Sequence, residues 1–341
     1  MTDAAPDATA TAEHAPLQRA MILATVTFAT MLYGMTVLIV TVILPQMQGT
    51  LSATTDQISW VMTLNIVATA VVTPMTGWLT QSFGRRRVML FGVMGFTIAT
   101  VFCGMAGSLE TLILYRVFQG AFGAPLVPLA NAIILDVYPR HQHGMATAVF
   151  GMGVVIGPVF GPVFGGVLTE MYNWRWAFFM IVPFGIVGFA ALWWVLPSGA
   201  ARRRVRFDWV GFLALSLAVV CLQIMLDQGE RNDWFDSLPI TLTAGAAVFG
   251  FYLFAVHTVT AQNPFLNLRL LRDRNYTLGL IIVTVYGMLN FTPMVMMPPM
   301  LKSLMGFPES IIGLMVAARG AGALVGFFLS MWIGKLDPRI G

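Results

Sequence analysis

Charge is what this sequence has least of. Of its 341 residues, 10% are charged and 57% are hydrophobic. A water-soluble domain averages about 25% charged residues. A chain this poor in charge needs lipid as its solvent, and an ordinary soluble fold is excluded. Cysteine is nearly absent. Cys103 and Cys221 both lie inside apolar runs, which rules out a disulfide framework and a thiolate metal site. There is no G-x-S-x-G, no H-E-x-x-H and no pair of intramembrane carboxylates. His257 stands alone near a span end, while His141 and His143 share a loop. The chemistry of an intramembrane enzyme is therefore missing, and no enzyme activity is expected. The first residues, Met1 to about Gln18, lack the basic-then-apolar form of a cleaved signal. They read as a disordered cytoplasmic tail.

Long apolar runs are what the sequence has instead. A helix crosses a bilayer with about 20 mostly apolar residues. Ten runs meet that need, over roughly 20–44, 58–79, 88–107, 109–135, 144–168, 175–196, 209–227, 238–260, 276–300 and 310–334. Short loops join them, which predicts an all-α polytopic membrane protein. Transmembrane strands would alternate over about ten residues, and these runs do not.

The basic residues test that count. With the tail inside, the cytoplasmic loops hold 14 Lys and Arg, and the opposite loops hold Arg175, Arg231 and Lys302. Arg116 and Arg319 lie inside spans and complete the 19. An excess of this size on one side is the positive-inside pattern, and one span too many or too few in mid-chain would scramble it.

A short frame recurs. Gly77–Gly84 reads GWLTQSFG and Gly334–Gly341 reads GKLDPRIG, 257 residues apart and each after an apolar span. Parallel repeats of this kind fit transporters built from two halves about an axis along the membrane normal. The layout that follows is a tail over 1–18, a six-helix bundle over 19–197, a two-helix insert over 198–262, and an incomplete second bundle of two helices over 263–341.

Four stretches carry candidate chemistry. The loop after the second span holds Gly77, Leu79, Gln81, Gly84, Arg85 and Arg86. Its arginines either anchor topology or, with the glycine turn, form a gate. Arg116 lies in the fourth span, six residues past Glu110 and so about 9 Å along a helix, with Gln119 one turn further on. An arginine at a helix centre costs about 2.5–3.5 kcal/mol on insertion scales. It either snorkels or pairs with Glu110, or it stands as a positive post in a transport path, with Asn65 as a further polar contact. In the fifth span Gly153, Gly157, Gly161 and Gly165 recur every four residues beside Gly166, Pro158 and Pro162. That stripe suits close helix packing, and the prolines add a bend at a gate or bundle interface. Asp227 ends the seventh span, ahead of a loop of solvated charges. The 23 methionines suit packing, lipid contact or adaptable apolar surfaces.

Together these pieces resemble the major facilitator superfamily and, within it, the fourteen-helix drug:proton antiporters of the EmrB/QacA type. Gly77, Leu79, Gly84 and Arg85 match the loop motif. Arg116, Gln119 and Gly120 match the fourth-helix motif. Gly153, Gly157, Pro158, Gly165 and Gly166 match the antiporter motif. The resemblance implies an alternating-access fold in the bacterial inner (plasma) membrane, with the N-terminus cytoplasmic. It implies export of small lipophilic compounds driven by inward proton flow, with no cofactor. A periplasmic adaptor is an implied partner in two-membrane envelopes, and a nucleic acid is not.

The chain departs from the pattern in three ways. Thr36 stands where a first-helix carboxylate is expected, which leaves Glu110 and Asp227 as boundary carboxylates. Gln81 stands where the loop motif has Asp. The chain also reads as ending after the tenth of fourteen helices. The competing reading is a membrane protein that binds a ligand or serves in assembly without moving anything across.

Overall fold

The computed structural model describes residues 15–197, 206–261, 264, 266 and 268–336. The tail over 1–14, Arg202, Arg203, Arg204 and the second glycine frame from 337 onward lie outside the described residues.

Among the described residues the secondary structure is helical throughout, with no strand. The helices are α1 (Pro16–Thr50), α2 (Thr55–Val72), α3 (Thr76–Phe83), α4 (Arg85–Met105), α5 (Leu109–Gly123), α6 (Leu126–Val137), α7 (His143–Met171), α8 (Trp174–Phe179), α9 (Ile181–Val195), α10 (Trp209–Gln228), α11 (Leu238–Thr260), α12 (Arg274–Met305) and α13 (Glu309–Leu336). Among the described residues nine stretches are long and apolar enough to cross a membrane, and a shorter apolar stretch, Ser310–Gly326, lies in α13. They follow the expected order. Three expected spans are broken rather than continuous: the second at Thr73–Met75, the fourth between α5 and α6, and the sixth between α8 and α9. Pro74 and Pro125 sit at the first two breaks, where a missing N–H interrupts the helical ladder.

Side chains at helix starts fix where spans meet water. Thr54 and Gln57 form a reciprocal cap on α2, with bonds of 3.2 and 3.0 Å. Ser108 and Thr111 do the same for α5. Each cap satisfies backbone N–H groups that have no partner inside the helix.

Helices α1–α9 pack around two apolar cores. One joins Ile22–Ala29 of α1 with Val88–Val93 of α4, most of α6, and the start of α7. The other joins Ile39–Met47 of α1 with Ile58 and Val61 of α2, Cys103 of α4, Leu112 of α5, and Trp174 and Phe178 of α8. α10 and α11 pack on each other, and α10 also lies against α2. Arg231, in the loop between them, pairs with Asp56 at 3.2 Å and donates to Ser59 Oγ at 2.9 Å. The α10–α11 pair thus docks on the start of α2.

α7 is held on two sides. Its glycines face α1, which runs in the same direction. Gly153, Gly157, Gly161 and Gly165 meet Thr27, Met31, Met35 and Ile39 in order. A Cβ on Gly157 would collide with the Met31 carbonyl, and one on Gly161 would lie 2.6 Å from the Met35 carbonyl. These contacts are to backbone, so no rotamer change relieves them. On its other side α7 meets α13. Although Pro158 and Pro162 each remove a ladder bond, α7 runs unbroken from His143 to Met171.

Candidate functional site

Between the two apolar cores lies a buried polar layer. Along α1 the cores are separated by Thr30 and Thr36, and along α4 by Thr97 and Thr100. Along α5 the layer falls at Arg116 and Gln119, and on α2 it includes Asn65. Four helices therefore place polar groups at one depth, where lipid offers no partner and each must find one in the protein.

Arg116 is at the centre of this layer and only 1% exposed. Its Nε donates to the Val61 carbonyl at 3.3 Å, and its Nη1 donates to Gln119 Oε1. Gln119 Nε2 donates to Thr100 Oγ1 at 2.7 Å, and Thr100 donates to the Phe96 carbonyl at 2.7 Å. Asn65 Nδ2 donates to the Arg116 carbonyl at 2.8 Å. Thr69 Oγ1 donates to the Asn65 carbonyl at 2.9 Å and lies 2.8 Å from the Tyr33 hydroxyl. Gly120 allows this approach, because a Cβ there would collide with the Asn65 carbonyl.

The structure separates the two readings of Arg116. The side chain neither snorkels nor pairs with Glu110, which is exposed in the first turn of α5. Among the described residues no carboxylate forms an ion pair with Arg116. Neutral dipoles alone offset a charge whose burial costs several kcal/mol. Intramembrane charges held at such cost mark functional sites by default.

Other candidate residues lie outside this layer or contribute little to it. Thr36 is buried but donates to Leu32 of its own helix at 2.7 Å. Asp227 is half-buried at the end of α10 and accepts from Gln228 Nε2 at 3.0 Å.

The loop motif ties elements of the first bundle to one another. Gly84 takes φ +85°, which L side chains rarely adopt, and it turns the chain from α3 into α4. Arg85 forms an ion pair with Asp136 at the end of α6. Arg86 donates to the Trp193 carbonyl of α9 at 2.6 Å and stacks over the Trp193 ring. Leu79 packs on the apolar core beneath, whereas Gln81 is exposed and Gly77 has open space beside it.

A second feature lies where α6 and α7 face α12 and α13. A cavity of about 470 Å³ is lined by residues including Phe150, Val154 and Pro158 of α7, Tyr286 and Asn290 of α12, and Ala323 of α13. Among the described residues no Asp or Glu lines it. Asn290 Nδ2 lies 3.4 Å from the Tyr286 hydroxyl, so α12 brings the polar groups and α7 the apolar wall. Pro158 leaves the Val154 carbonyl without its usual donor beside this cavity, and on the α1 side a Cβ on Gly34 would lie 3.1 Å from the Pro158 ring. Pro162, Gly165 and Gly166 are buried further along α7.

Sequence reasoning missed Thr100, Tyr33, Asp136 and Asn290. For Asp136 a signal existed. An acid in the last turn of a helix faces the negative end of its dipole, so it needs a nearby cation. Thr100 gave none, because threonines in apolar helices commonly bond to their own backbone.

Comparison with known proteins agrees with this architecture. Residues 26–341 match the Major Facilitator Superfamily. The multidrug export protein EmrB of Escherichia coli strain K12 is 34% identical over 306 residues, covering 88% of this chain and 59% of that protein. The fatty acid resistance protein FarB of Neisseria gonorrhoeae is 32% identical over 303 residues, covering 89% and 59%. The chain thus spans about three-fifths of the length of these relatives. Among solved structures, a peptide transporter POT in complex with sulfate superposes with TM-score 0.64 at 15% identity, over 93% of this chain and 69% of that one. A D-xylose–proton symporter gives 0.55 at 13% identity, over 93% and 69%. The layered bundle, the buried fourth-span arginine and the match across nearly the whole chain lead to one assignment: this chain belongs to the Major Facilitator Superfamily.

Proposed function

We propose that the protein exports small lipophilic compounds by alternating access, coupled to inward proton flow. The observation that carries this reading is the cavity between α7 and the α12–α13 pair, beside the proline-interrupted ladder of α7. A mostly apolar cavity with a few polar groups suits a drug-sized ligand. A lining without a carboxylate among the described residues favours neutral or anionic compounds over cations. Arg116 is the fixed positive charge of the adjoining bundle. Its field acts across a low-dielectric layer, so protonation of a nearby group or arrival of an anion changes the energy of that layer. The multidrug names borne by EmrB-type relatives support the same substrate class. A bacterial inner-membrane location with the N-terminus inside, and a periplasmic adaptor as partner, complete the proposal.

The test is export of a fluorescent lipophilic dye from cells that lack their own exporters. They would express this chain, or a form extended by whatever sequence follows Gly341. Dye accumulation should fall, and a protonophore should abolish the effect. Arg116→Ala should remove at least 90% of the export while leaving membrane insertion intact. Full export by Arg116→Ala would overturn the role of the arginine. Ligand binding without flux in both forms would overturn export itself.

A further inference from the structure

The seam between α7 and α13 is closed at one end and open at the other. The two helices run antiparallel. At the outer end, by the orientation read from the basic residues, Glu170 Oε1 accepts the Ser310 backbone N–H at 3.0 Å. Toward mid-membrane, Gly313 lies bare against the Pro162 carbonyl, and a Cβ there would be 2.5 Å from it. Gly320 lies close against Val159. Between these glycines Val316 is 1% exposed and packs on Leu38 of α1. Past Val159 the seam borders the cavity lined by Val154 and Phe150 of α7 and Ala323 of α13.

Glu170 does not fit its own helix. It is exposed and lies in the last turn of α7, next to Met171. An acid there faces the negative end of the α7 dipole, which is unfavourable. Ser310 is in the first turn of α13, whose amides have no partner within their helix and form a positive end. The carboxylate therefore gains from α13 what it loses on α7, and that gain exists only while the outer ends of the two helices touch.

We infer that Glu170 is the latch of an outer gate. Its carboxylate holds the start of α13 against α7, and the glycine contacts below continue the closure to mid-membrane. The outer side opens when this bond is released. The inference rests on the alternating-access reading, and it adds a gating residue that neither the loop motif nor the buried arginine contains.

The test uses the full chain carrying Val316→Cys, a change to a smaller side chain at a site sealed in the closed state. A membrane-impermeant maleimide is added from outside to right-side-out vesicles, and modification of the introduced thiol is mapped by mass spectrometry. Relative to intact Glu170, labelling should speed up about threefold to tenfold in Glu170→Ala, the range for losing one exposed charge-assisted bond. It should speed up more in Glu170→Lys, which repels the helix start, and less in Glu170→Gln, which keeps an acceptor. Equal rates in all four forms would overturn the latch.

If Val316→Cys fails to fold, the pair Glu170→Cys and Ser310→Cys replaces it. Oxidative cross-linking should then stop dye export, and reduction should restore it. Export that persists in the cross-linked form would overturn the latch. Labelling reads the gate even in a chain that moves no dye. Glu170-dependent labelling without export would therefore spare the latch and sink the transport reading, and export with Glu170-independent labelling would do the reverse.

Discussion

α7 and α12 are alike as sequences and opposite as structures. Each is about thirty residues long, apolar, and interrupted by prolines at internal positions. Of the α7 span, 44% of the most apolar window is buried inside the protein, but none of the corresponding α12 window is. The glycines of the two helices differ in the same direction. Gly153, Gly157, Gly161 and Gly165 of α7 all meet α1, whereas Gly279 and Gly287 of α12 have open space beside them. In lipid, apolar composition cannot drive one helix onto another, because the tails are as apolar as leucine. Close packing of small residues does that work, and α7 has the regular four-residue stripe that α12 lacks.

Substitutions along the two helices can break or sharpen that contrast. The largest effect is expected from Gly157→Val. Its side chain would enter the Met31 backbone, so the α1–α7 pair must separate. Overpacking usually costs about 1–3 kcal/mol, and a contact with backbone belongs at or beyond the upper end. Loss of the folded, monodisperse form in detergent would confirm it, and a melting temperature within a degree of the parent would refute the packing argument.

A smaller effect should follow Gly84→Ala in the loop motif, where the strain comes from φ rather than from neighbours. About 1–3 kcal/mol is expected, because φ +85° with ψ 146° is backbone that almost only glycine adopts. It should appear as a lowered melting temperature with the ion pair of Arg85 and Asp136 weakened in parallel. If Gly84→Ala melts like the parent, the turn is not strained.

The smallest effect should come from Gly287→Val on α12, within about 0.5 kcal/mol. A cost there comparable to Gly157→Val would mean that a protein surface, rather than lipid, covers this face of α12.

The loop motif after the second span shows how far a motif reaches. Gly77, Leu79, Gly84 and Arg85 are recognisable as a motif, but their partners are not. Arg85 reaches Asp136, which lies 51 residues away, and Arg86 reaches Trp193, 107 residues away. Both bonds stay within α1–α9. The Arg85–Asp136 pair is half-exposed and so contributes at most about 1 kcal/mol. Its value to the fold is in aligning α4 with α6 rather than in strength.

Several features were legible from composition and spacing. Nine apolar spans and a shorter tenth stretch, in their order, follow from lipid as solvent, because every apolar run must be long enough to cross. The glycine stripe of α7 and the isolated charge at Arg116 were legible for the same reason, as departures from what lipid-facing helices need. Tertiary structure alone decided the rest. It set Thr100 and Asn65 against Arg116 and Gln119, left Glu110 and Asp227 outside that layer, kept α7 whole across two prolines, and brought Glu170 to the start of α13. Each of these depends on which helix lies beside which and at what height. Lipid treats all apolar faces alike, so a single span carries no record of its neighbours, and only the close fit of small residues and the pairing of buried polar groups settles them.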